Sequence, residues 1–108
     1  MLDPVTTAKL TVLLAERVMG WRAVPNRFLK GQGEWIPSWR FQPFALIADA
    51  FEALKKAADS YTLTSDHGTF TACVCIGPRR ASASGSQIPE VISLALAQAL
   101  GLVEEETK

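Results

Sequence analysis

Residues 61–84 read YTLTSD, HG, TFTACVCIG, P, RRASAS, and no other part of the chain leaves so few folding options. Three successive runs alternate with a period of two, broken at Asp66-His67-Gly68 and Gly77-Pro78-Arg79, residue types suited to tight reversals. Connections this short join only antiparallel neighbours, so the spacing predicts a three-strand meander. On its central strand Phe70, Ala72, Val74 and Ile76 share one face, and Thr71, Cys73 and Cys75 share the other. Neither face carries a charge, which predicts that the sheet is covered on both sides or that its second face meets another molecule.

Three helical patterns surround this meander. The first opens at Asp3-Pro4, a cap acceptor followed by the imide favoured at the first helical position, and runs to Met19. It ends in ERVMGW, residues 16–21, where Gly20 can take the left-handed conformation and Trp21 can fold back on the last turn as in a Schellman motif. Val5, Ala8, Val12, Ala15 and Met19 make one stripe, and Leu10, Leu13, Leu14 and Val18 spread over the far side. A helix apolar on both sides is either central or a partner surface; the candidate interface residues are Leu10, Leu14 and Val18. The second helix is expected from near Pro43 to Asp59, with a stripe of Ile47, Phe51, Leu54 and Ala58 and a Glu52–Lys56 pair on its wet side. The third is expected over about 87–100, with Ser86 as cap and Gly101 as a second glycine stop.

Composition bounds the rest. With 108 residues, 48% of them hydrophobic, the chain can bury a core as one domain, read here as 1–103 followed by a charged, frayed tail over 104–108. Eleven basic residues balance eleven acidic ones, so no global field draws the protein to nucleic acid or to a membrane. No basic leader followed by an apolar run is present, and no segment approaches the roughly 18 apolar residues of a membrane span; the expectation is a soluble, cytoplasmic protein. The spacing of Cys73 and Cys75 fits two reduced, buried thiols rather than a metal or redox C-x-x-C pair.

Residues 22–42, RAVPNRFLKGQGEWIPSWRFQ, concentrate side chains suited to recognition. Arg22, Arg27, Lys30 and Arg40 sit among Phe28, Trp35, Trp39 and Phe41, with Glu34 as the single acid. Gly31-Gln32-Gly33 predicts a short hairpin with 22–25 and 34–36 as arms. The aromatics either close one end of the core or, with Arg22, Trp35, Trp39 and Arg40 as the recognising set, stack on a ring and hold a phosphate. Catalytic motifs are lacking. His67 stands beside Asp66 with no second histidine, SASGS at 82–86 is not a nucleophile elbow, and GQG is not followed by a helix, so no enzyme activity, metal or cofactor is expected. The strand-then-helix order is similar to the C-terminal half of a double-stranded RNA-binding domain, but the last helix opens Gln87-Ile88-Pro89-Glu90 rather than with lysines. Nucleic acid is therefore not expected.

The run LLAERVMGW resembles the opening of the phage ABA-sandwich family, small proteins encoded in phages and prophages. IADAFEALKKA, TFTACVCIG and IPEVISLALAQALG are similar in order and pattern to the family's later helix, sheet and last helix, while Gln42-Pro43 departs from the Ser/Thr/Asp cap of similar proteins. The resemblance implies an α+β fold of α/β/α-sandwich type, with a small antiparallel sheet, a short hairpin and three helices. It carries no catalytic residue with it. Two functions follow as expectations: a non-enzymatic phage accessory protein acting through protein contacts, with a homodimer as one form, or a binder of a small nucleotide signal in an anti-defence role.

Overall fold

The computed structural model describes residues 3–102; the expected tail over 104–108 lies outside the described residues. In chain order the elements are α1 (Pro4–Arg17), β1 (Arg22–Val24), β2 (Arg27–Gly31), β3 (Glu34–Pro37), a 3₁₀ turn at Ser38–Arg40, α2 (Ile47–Ala57), β4 (Ser60–Asp66), β5 (Thr69–Ile76), β6 (Arg79–Gly85) and α3 (Ile88–Ala99). The strands form two antiparallel three-stranded sheets, β1-β2-β3 and β4-β5-β6. The chain is thus α+β, with the expected three helices and meander.

The meander follows the period-two reading closely. Asp66 pairs with Thr69 across the two-residue His67-Gly68 turn, and Ile76 with Arg79 across Gly77-Pro78. Val74 pairs with Tyr61 and Ala81, and Ala72 with Leu63 and Ala83, so these residues line one face. That face meets the helical layer: Ala72, Val74 and Ala81 are buried in one core with Leu54, Val91, Ile92, Ala95 and Leu96. Close approach is needed here. At the end of β6, a Cβ on Gly85 would lie 3.2 Å from a Val91 methyl.

Helical cover does not extend to the other face. Thr71, Cys73 and Cys75 are half-buried there, and their neighbours Ser60, Thr62, Thr64, Ser82 and Ser84 are exposed. Thr71 and Ser84 satisfy each other through their hydroxyls at 2.9 Å. The expectation of a sheet roofed on both sides is not met, and the thiols expected to be buried are half-buried and free. Hydroxyl and thiol side chains tolerate water as readily as a roof, so the lack of charge did not require one.

The element enclosed on most sides is α3. Val91, Ile92, Ser93, Ala95, Leu96, Ala97 and Ala99 are all buried, which at 100° per residue covers roughly two-thirds of its circumference. Its one buried hydroxyl, on Ser93, donates to the Pro43 carbonyl at 2.6 Å and ties α3 to the segment entering α2. The helix stops as the glycine pattern predicts: the Leu102 N–H reaches the Ala97 carbonyl at 2.9 Å and the Gly101 N–H the Gln98 carbonyl at 3.1 Å, the two bonds of a Schellman motif.

At α1 the glycine stop is wider. Gly20 has φ +75°, but the Trp21 N–H bonds the Ala15 carbonyl and the Met19 N–H the Leu14 carbonyl, each one residue or more beyond the usual closure. This delivers the Trp21 ring onto Phe28 and Phe41, with centroids at 6.0 and 5.2 Å, while Phe28 and Phe41 pack edge to face at 6.0 Å. The tryptophan behind the helix stop therefore clamps the first sheet and the α2 entry to the end of α1.

Boundaries shift: α1 ends at Arg17 rather than Met19, and α2 at Ala57 rather than Asp59. The segment 43–45 forms a turn, and α2 starts at Ile47 with Leu46 in the cap position and no side-chain cap; Asp49 instead accepts the Gln42 N–H at 2.8 Å. Its buried positions are Ala50, Ala53 and Leu54, whereas Ile47 is exposed, and Glu52 pairs with Lys55 at 3.7 Å rather than with Lys56. In the first sheet, the GQG turn joins β2 to β3, and β1 pairs with β2 through the Pro25-Asn26 turn. The anticipated arms 22–25 and 34–36 are thus both neighbours of a strand between them.

Candidate functional site

The first sheet has one face inside and one outside. Ala23, Phe28 and Ile36 align across its three strands and Phe28 is buried, so the neighbouring row of Arg22, Leu29 and Trp35 faces away from the core. Val24, Arg27 and Pro37 form a second outward row. Trp35 is 52% exposed, and the Arg27 guanidinium lies 5.2 Å from its ring centre. Just past β3, in the 3₁₀ turn, Trp39 is 66% exposed with the Arg40 guanidinium 5.9 Å from its ring. The Ser38 N–H, bonded to the Asn26 carbonyl at 3.0 Å, anchors this turn against the β1–β2 loop.

The four residues singled out in the sequence thus divide. Trp39 and Arg40 form one pair, whereas the partner of Trp35 is Arg27, with Arg22 two strands away. Arg27 was hidden because its closeness to Trp35 depends on β2 lying between β1 and β3. An arginine over a tryptophan face gains a cation–π attraction of about 0.5–1 kcal/mol at exposed sites, which favours the contact but does not hide the ring. Two exposed indoles, one on the outer face of β3 and one in the turn that follows it, offer a contact surface, since tryptophan and arginine are enriched among the residues that anchor interfaces.

Other candidates lie elsewhere. Leu10 and Leu14 are buried in the chain's own core and Val18 is half-buried against it, so the α1 face expected to meet a partner is the one that packs inward. The wheel offered two apolar stripes, and tertiary packing takes Leu10, Leu14 and Val18 together with Ala15 and Met19 from the end of the other stripe. What α1 leaves in solvent is Val5, Ala8 and Val12, beside a hollow lined by Lys9, Val12 and Leu13. A cleft of about 380 Å³ opens on the inner side of the first sheet, lined by Met19, Trp21, Lys30, Phe41, Asp49, Glu52 and Lys56, with the Lys30 ammonium 5.3 Å from the Trp21 ring centre. None of Arg22, Trp35, Trp39 or Arg40 lines it.

On the open face of the meander, the Arg80 Nε–H donates to the Cys73 sulfur at 3.4 Å. The hydrogen bond to Cys73, followed by coulombic interaction with Cys73 and Cys75, holds Arg80 above its ordinary value. His67, at φ +53° in its turn, contacts Asp66 at 2.6 Å in open solvent. Among the described residues no group of three or more His, Cys, Asp or Glu side chains is placed to hold a metal ion, and no helix is long and apolar enough to cross a membrane.

Fold and surface together define a small α+β domain with an aromatic–basic outer sheet. Its architecture is similar to that of a phage protein from Bacillus cereus ATCC 14579, solved crystallographically, with a TM-score of 0.72 over 98% of this chain and 96% of that one, at 12% sequence identity. At that identity the likeness is one of fold. No family model matches the sequence, and no curated protein matches it.

Proposed function

We propose that this chain is a non-enzymatic accessory protein of phage or prophage origin that acts by protein contact, and that the outer face of the first sheet is its docking surface. The observation that carries this reading is the pair of exposed tryptophans, Trp35 and Trp39, each under an arginine. Leaving two indoles more than half exposed is costly unless something covers them in use. Arg22, Arg27 and Arg40 outnumber Glu34 on this segment, so the partner surface is acidic around an apolar centre that takes the rings. The likeness in fold to a phage protein and the LLAERVMGW run support the phage setting. Affinity purification from host cells, with wild type and with an Arg27→Glu/Arg40→Glu variant, tests it: one acidic protein retained by the wild type and lost with the charge reversal is the expected result. Equal recovery by both proteins removes the surface from consideration.

The cleft supports a second reading, the capture of a small ligand. Its floor of Trp21, Phe41 and Met19 suits a flat apolar group, but Asp49 and Glu52 stand beside Lys30 and Lys56, which disfavours a multiply charged phosphate. Thermal-shift screening with nucleotides separates the readings. A flat response fits the protein-contact function, and a rise of several degrees that Phe41→Ala abolishes favours the cleft.

A further inference from the structure

β4 is an edge strand with few of the features that keep edges apart, its one charge, Asp66, standing at the end. All seven of its residues, Ser60–Asp66, are exposed, its register with β5 is unbroken, and it contains no proline, lysine, arginine or glycine. The opposite edge, β6, opens with Arg79-Arg80. Asp66 and Thr69 flank a two-residue turn and so exchange both backbone bonds; alternation then leaves the N–H and C=O groups of Tyr61, Leu63 and Ser65 pointing to the open side.

An apolar strip runs beside this edge. The Phe51 and Tyr61 rings meet edge to face at 6.4 Å. Since α2 ends at Ala57 and β4 begins at Ser60, the two elements run antiparallel. Ile47, one turn or about 6 Å before Phe51, and Leu63, about 6.6 Å beyond Tyr61, therefore lie toward the same end. Ile47 is 46%, Tyr61 42% and Leu63 36% exposed, so the strip is wet where the sheet stops.

We infer that β4 pairs antiparallel with β4 of a second copy of this chain, about a two-fold axis at Leu63, joining two meanders into one six-stranded sheet. The sequence SYTLTSD is self-complementary in this register. Leu63 faces its own counterpart, Tyr61 faces Ser65, and Thr62 faces Thr64, and about six backbone hydrogen bonds form from the outward groups. The single charge, Asp66, lands at the Ser60 end of the other copy, where α2 ends in Lys55 and Lys56. Both helical layers lie on the same side of the joined sheet, so the two Ile47–Phe51–Leu63 strips meet and exclude water. This surface is separate from the Trp35–Trp39 face, and the dimer stands whether or not that face binds a protein.

Sedimentation of the full chain up to about 1 mM, with hydrogen exchange at both ends of the series, tests the pairing. The expected result is a monomer–dimer equilibrium in which the Tyr61, Leu63 and Ser65 amides gain protection with concentration. Leu63→Lys, which sets two like charges opposite each other, weakens the dimer about tenfold or more. Ser65→Pro weakens it while sparing the bonds to β5. Trp35→Ala leaves it unchanged. A protein that stays monomeric throughout, or a dimer in which those three amides exchange freely or Leu63→Lys has no effect, overturns the proposal.

Discussion

Replacing Ser93 by alanine removes one atom from the centre of α3. The hydroxyl is buried and donates at 2.6 Å to the carbonyl of Pro43, itself buried and outside any helix or strand. The net loss of a neutral hydrogen bond is about 0.5–1.5 kcal/mol, but the carbonyl left behind keeps its desolvation penalty of about 1–3 kcal/mol. No side-chain nitrogen or oxygen among the described residues is buried without a partner, so the native core offers no loose donor to compensate. Ser93→Ala is therefore expected to cost about 1.5–3 kcal/mol. For a domain of this size that is a fall in Tm of roughly 6–24 °C, at about 4–8 °C per kcal/mol. Urea unfolding followed by circular dichroism measures it, with the exposed Ser86→Ala as control. A loss under about 0.5 kcal/mol, matching that control, refutes the view that this bond pins the α2 entry to the central helix.

Other outcomes follow from the same packing. Leu14→Ala is expected to cost about 3–5 kcal/mol by denaturant unfolding, and Leu14→Glu to prevent folding, as for a core residue and unlike an interface residue whose change would only dissociate copies. Gly20→Ala meets no atom within 4 Å, so its cost, about 1–2 kcal/mol in thermal unfolding, is that of the left-handed backbone alone. The Asp3 carboxylate is held below its usual 3.8 first by hydrogen bonding with the Thr6 side chain and then by the Thr6 N–H, which donates to it at 2.8 Å. Because the folded value is depressed, its contribution to α1 is present above 3.8 and is lost as pH falls through the folded midpoint; an NMR titration should show the Asp3 carboxyl and Thr6 amide moving together below 3.8.

Local physics made the meander, the helix stops and the Asp3-Pro4 start legible. A two-residue turn fixes which strands pair, and a glycine after an apolar helix end fixes where the chain leaves. Layering was not legible, because a face of Thr, Cys and Ser has no sign that distinguishes a helical roof from water. The α1 stripes were ambiguous for a related reason: Leu10-Leu14-Val18 and Val5-Ala8-Val12 are both apolar, and only the positions of Phe28, Phe41 and α3 decide between them. The first sheet shows how one register error displaces a site. With β1 placed against β3, Arg22 becomes the companion of Trp35; with β2 between them, that role passes to Arg27.

The central claim is that Trp35 and Trp39 mark the surface through which this protein works. A photo-crosslinking amino acid placed in turn at positions 35, 39, 12 and 62, in protein expressed in the host, addresses it directly. Adducts to one acidic protein from positions 35 and 39, absent from 12 and 62 and lost when Arg27 and Arg40 are reversed to glutamate, are the predicted result. Adducts to a protein other than a second copy that form equally from all four positions, or only from 12 or 62, contradict it.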